Sequence, residues 1–176
     1  MVAIPQILNN LVIALIQLVV GLALSVGAVY TGIRFLDKLT KDIDEWDEIK
    51  KGNVAVGVLL AGIILSVALI VENGVVELIG SINPGPSFNL IIINLVASVI
   101  NLAISILVAM FAIYLGIRLI DKVTPQVDEI KELKKKNVAI GIIMAAVLIA
   151  VAFVIRGSVV EIIDAINIRG LLLSFF

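Results

Sequence analysis

The chain has 176 residues, of which 61% are hydrophobic and 15% charged, with a formal net charge of −1 and neither cysteine nor histidine. With a mean hydropathy of +1.21, it carries more apolar surface than a soluble core of this size hides, and the surplus calls for lipid. The near-zero charge argues against a nucleic-acid partner, and the missing Cys and His exclude disulfides, thiolate metal sites and the commonest metal ligand and general base.

Charged residues are bunched, leaving four long apolar stretches: Ile7 to Ile33, Val54 to Val71, Leu90 to Ile117 and Val138 to Ile155. Each meets the length of roughly 18 residues or more for a transmembrane helix. The second and fourth just cross a hydrocarbon core of about 30 Å, while the first and third exceed it and must tilt, kink or project. Barrel strands alternate apolar and polar positions, and these stretches are apolar nearly all round, so helices are expected. Met1 to Gln6 has no positive charge, whereas a cleavable leader opens on one, so the first span is read as structure.

The first connection runs from Arg34 to Asn53. Thr40 with Asp42, Asp44 and Glu45 reads as a helix start, Ile43, Trp46 and Ile49 form an apolar stripe at helical spacing, and Lys50 and Lys51 close it. In the second connection Thr124-Pro125 reads as N-cap and first turn, Asp128 and Glu129 follow, and Val127, Ile130 and Leu133 repeat the stripe. Each is a short amphipathic helix on the inner membrane surface, with Trp46 as interfacial anchor. Asn53 and Asn137 then cap the returning spans.

The sequence aligns with itself without a gap at an offset of 84 residues, Tyr30 to Thr40 falling on Tyr114 to Thr124. Asn53-Val54-Ala55-Val56-Gly57 meets Asn137-Val138-Ala139-Ile140-Gly141, and Val75-Val76-Glu77 meets Val159-Val160-Glu161. Shared polar and glycine positions mark a duplication. The expected architecture is an all-α integral membrane protein of four transmembrane helices in two tandem hairpins. Each hairpin is a long helix, a short amphipathic helix and a shorter helix, over residues 1–83 and 89–176, with a Pro/Gly linker at 84–88. Because each unit crosses twice, the two are parallel repeats about an axis along the membrane normal. Lys and Arg crowd the connections, and the N-terminus and linker have none, so the positive-inside rule puts the connections in the cytoplasm and both termini outside.

The stretch from Lys38 through Lys50-Lys51-Gly52-Asn53-Val54-Ala55-Val56-Gly57, with its second copy, resembles the prokaryotic membrane family known as domain of unknown function 350. The Gly-Asn-x-Ala lead-in to the second helix is that family's most recognisable feature, and tandem copies are common in it. The second copy departs from the pattern, with Lys136 where Gly52 stands. The resemblance covers almost the whole chain and implies a multipass membrane protein; it brings no activity, catalytic residue or cofactor. Absence of Cys and His beside abundant Ile and Val suits a thermophile.

The repeated acids Asp37 and Asp121, Asp44 and Asp128, Glu45 and Glu129, Glu48 and Glu132 lie in lysine-rich segments where solvation and helix capping account for them, so no enzyme is expected. Within the long helices, Asn94, Ser98, Asn101 and Ser105 share one face, matched by Asn10, Ala14, Gln17 and Gly21. Such a face avoids lipid, as a packing seam of amide hydrogen bonds or as the lining of a polar path. By repeat symmetry Gln17 and Asn101 are expected to face one another near mid-membrane. On the shorter helices, Asn53, Gly57 and Ala61, and Asn137, Gly141 and Ala145, make a second seam of small residues at every fourth position, within the chain or between chains. Glu72 and Arg156 are equivalent positions of opposite charge and are expected to pair. Function then divides between a structural, assembly or accessory subunit of a membrane complex and a small homo-oligomeric channel or carrier lined by the amide face. Membrane lipid and further copies or subunits are the expected partners.

Overall fold

The computed structural model describes residues 4–39, 43–82 and 88–174. Among them every regular element is a helix: α1 (Ile4–Leu39), α2 (Glu45–Lys50), α3 (Val54–Ser81), α4 (Phe88–Val123), α5 (Glu129–Lys134), α6 (Val138–Ile166) and α7 (Ile168–Leu173). Four spans are long and apolar enough to cross a membrane: Gln6–Lys38, Val54–Ser81, Ile92–Val123 and Val138–Leu173. The chain is a multipass helical membrane protein. The linker at 84–88 falls outside the described residues except for Phe88.

The helices outrun the apolar stretches. α3 continues past Val71 through Glu72, Asn73 and Glu77 to Ser81, and α6 runs to Ile166. At ~1.5 Å per residue, α3 is about 42 Å long, so its charged last turns emerge beyond a hydrocarbon core of about 30 Å without breaking the helix. Beyond α6, Asn167 takes a left-handed conformation (φ 45°, ψ 54°), and its side chain accepts a hydrogen bond from Gly170 N at 3.1 Å, starting α7. Asparagine tolerates that geometry better than other side-chain-bearing residues, so one residue ends one helix and begins the next.

The connection helices start later than expected. α5 is capped by Asp128, whose carboxylate accepts from Lys131 N at 3.0 Å, and α2 by Asp44, which accepts from Asp47 N at 2.9 Å. Thr124 instead closes α4: its N–H and hydroxyl both donate to the Ile120 carbonyl, and the hydroxyl also contacts the Glu129 carboxylate. Pro125 explains the shift, since the residue before a proline is disfavoured in a helix and the chain must turn before restarting. Thr40 and Asp42 lie outside the described residues.

α3 is the hub, packing against α1, α4 and α6, whereas α1 touches little else. Only 6% of the apolar window of α1 is buried, against 56% for α3, so α1 is peripheral. In repeat terms, α3 of the first unit lies in the cleft between α4 and α6 of the second.

Candidate functional site at the interface of the two units

The interface runs the length of α3 and α6, which are parallel, and has a polar group at each end. At the end carrying α2 and α5, Asn53 is buried at the N-cap of α3 and makes three hydrogen bonds. Its amide nitrogen donates to Glu48 Oε2 and to the Leu133 carbonyl of the second unit, both at 2.8 Å, and its oxygen accepts from Val56 N at 3.3 Å. One asparagine therefore caps a helix and ties the two units together. Asn137 stands at the matching N-cap without a capping bond from its side chain; its amide donates to Glu132 Oε2 at 2.9 Å. Hydrogen bonds first from the asparagines and then from Lys51 and Lys135 hold Glu48 and Glu132 below the ordinary glutamate value, so both stay ionised at neutral pH.

Just inside, the helix axes come close. A methyl group on Gly141 would sit 2.4 Å from the Ala55 carbonyl oxygen, and one on Gly62 would sit 2.6 Å from Ala145 Cα. Glycine is needed at both positions because the backbones touch there. The small-residue seam therefore operates with Gly141 and Ala145 on α6. Of its α3 copy only Asn53 takes part: Ala61 is exposed and Gly57 has no described atom of a neighbouring element within 4 Å, because α3 turns Ala55, Leu59, Gly62 and Ser66 toward α6 instead. Farther along, Arg156 Nη1 lies 3.7 Å from Glu72 Oε2, both partly exposed, a geometry that contributes little stability but marks the register.

Toward the other end, α4 lays its polar face on α3. Ser98, Asn101 and Ser105 are buried, and Gly74 admits Ser105, a methyl there meeting its Oγ at 2.9 Å. Asn101 Nδ2 donates to Glu77 Oε1 at 2.7 Å, while the serines donate to carbonyls one turn back in α4, those of Asn94 and Asn101. The side-chain oxygens of Asn94 and Asn101 are buried without a donor among the described residues. A cleft of about 200 Å³ opens here, bordered by Glu77, Ser81, Asn94, Ser98 and Arg169.

Gln17 and Asn101 do not face each other. Gln17 Nε2 donates to the Ile79 carbonyl at 3.2 Å, so both amides reach the last turns of α3, which lies between their helices. The reason is the central place of α3: symmetry between units fixes which residues are equivalent, not which ones touch. In α1 the matching polar face is half open, with Asn10 and Ala14 exposed.

Three residues escaped sequence reasoning. Glu45 and Glu129 are buried at 4% and 6% exposure, so solvation does not account for them, although capping does account for Asp44 and Asp128. Glu77 is the acid that Asn101 needs, and its recurrence as Glu161 was the available signal. Trp46 stands 53% exposed on α2.

The model of the family described as Domain of Unknown Function (DUF350) matches residues 6–103 and again residues 94–175. The chain belongs to this family. The two matches, overlapping at 94–103, are the tandem copies of the repeat. No curated protein and no solved structure matches the chain. The DUF350 lead-in has a conformational reason: Gly52 has a φ of 73°, and Lys136 occupies the same left-handed conformation at 63°. A side chain there is strained by about 1 kcal/mol, and Lys136 Nζ donates to the Lys51 carbonyl of the first unit at 3.0 Å, a link glycine cannot make.

Proposed function

We propose that this DUF350 protein is a non-enzymatic assembly or accessory subunit of a cell-membrane complex, with its α2 and α5 connections in the cytoplasm. The observation that carries this reading is the use of the amide face. Asn101 bonds Glu77 of α3, and Ser98 and Ser105, buried beside it, donate to carbonyls of their own helix, so the polar groups that a conducting path would need are spent inside the protein, one of them holding two helices together. Small residues bring α3 and α6 into backbone contact, which also favours packing over a pore.

A carrier is the second reading, favoured by the buried Asn94 oxygen, which has no donor among the described residues, beside Glu77 and Arg169 in the cleft at the terminal end. Ion flux in proteoliposomes separates the two. Wild type and Asn101→Leu are both expected to leave a preset K⁺ or proton gradient intact over the leak of empty vesicles. A flux carried by the wild type and lost in the variant would overturn the assembly reading.

A further inference from the structure

The two units meet through unlike faces. α3 contributes Ala55, Leu59, Gly62 and Ser66, all buried; their repeat counterparts on α6 are Ala139, Ile143, Ala146 and Ala150, all exposed. In return α6 contributes Gly141, Ala145, Ala152 and Arg156, whose counterparts on α3 are Gly57, Ala61, Ala68 and Glu72. The last three of these are exposed. A contact between unlike faces of equivalent units leaves one copy of each face unused and able to continue the series.

We propose that these two free faces are the halves of an interface between copies of this chain. α6 of one copy lies in the groove between α1 and α3 of the next, as α3 lies between α4 and α6 within the chain. The groove exists: about 390 Å³ open between α1 and α3, bordered by Ser25, Val29, Leu65, Ala68, Glu72 and Val76. In the second unit the counterparts of Ser25, Val29 and Ala68 are Ala109, Ile113 and Ala152, which are buried where α3 covers them.

The side chains match the exchange. Glu72, although Arg156 of its own chain lies 3.7 Å away, keeps 55% of its side chain exposed and is opposite in charge to the Arg156 of an incoming copy. Glu77 with Asn101 becomes Glu161 with Gln17, a carboxylate and an amide again. Asn53 donating to the Leu133 carbonyl becomes Asn137 donating to the Ile49 carbonyl. Gly57 also acquires a reason: glycine is unfavourable inside a helix, and nothing among the described residues lies close enough to require it, whereas its counterpart Gly141 meets the Ala55 carbonyl. By contrast, the outward face of α1 carries the large apolar residues Leu8, Leu11, Leu15 and Leu22 that suit lipid.

The chain has no cysteine, so disulfide trapping is clean. Ala61→Cys and Ala146→Cys, on differently tagged full-length chains coexpressed and oxidised in native membranes, are expected to form a mixed dimer. Each variant alone is expected to form none, and the double variant should form a ladder of covalent oligomers. Ala61 and Ala146 are exposed, so neither substitution disturbs the fold. Gly57→Leu in the double variant is expected to reduce the ladder at least tenfold while leaving the thermal unfolding of the single chain unchanged. A crosslink from either single variant would mean a symmetric contact and overturn the proposal; so would no mixed dimer, which leaves the faces to lipid, or a ladder indifferent to Gly57→Leu. The flux assay reads a different property, so the assembly reading and this interface fail separately.

Discussion

Asn53 and Asn137 occupy equivalent positions, yet Asn53 holds three partners including a carbonyl of the other unit, while Asn137 bonds one glutamate. Removing the Asn53 amide takes away a helix cap and the bond between units, although the Leu133 carbonyl keeps the Lys136 N–H, for a combined loss of about 1–3 kcal/mol. Asn53→Ala is therefore expected to lower stability well beyond Asn137→Ala, which should cost about 0.5 kcal/mol. Reversible denaturation in detergent micelles measures both, and equal losses would contradict the role given to the cross-unit bond. The asparagine at this position was legible from the repeat, but its bond to Leu133 was not, because that contact spans 80 residues of chain and depends on which unit sits inside which.

Among elements, α3 is covered on three sides and α1 on one, although both read as apolar spans of similar hydropathy. Hydropathy reports what can leave water and says nothing about whether lipid or protein receives it. The close crossing of α3 and α6 is where a side chain is least tolerable. Gly141→Leu forces the Ala55 backbone away and is expected to destabilise the protein by at least the 1–3 kcal/mol typical of overpacking. Differential scanning of purified protein tests this, with Ala103→Leu on the exposed side of α4 as a control expected to leave the transition unchanged. The small-xxx-small spacing marked Gly57 and Ala61 as much as Gly141 and Ala145, because identical spacing in two copies carries no record of which copy is inserted and which receives.

For the whole molecule, the parallel course of α3 and α6 puts α2 and α5 together at one end and α7 at the other. With Lys and Arg crowding the first end, that end is proposed to face the cytoplasm. Single cysteines at Lys50 and at Ser174, both exposed, are expected to respond oppositely to an impermeant thiol reagent added to intact cells. Ser174→Cys should be labelled and Lys50→Cys protected; the reverse would invert the assigned orientation. The four long apolar helices, the duplication, the parallel units and a short helix in each connection were determined by the sequence, because they follow from local hydropathy, turn chemistry and residue identity at a fixed offset; α7, which Asn167 starts, was not. The partners of Gln17 and Asn101, the burial of Glu45 and Glu129, and the asymmetric seating of α3 in the α4–α6 cleft were decided only in three dimensions. Two nearly identical units specify nearly identical surfaces, and choosing which face of one meets which face of the other takes the packing of all the helices at once.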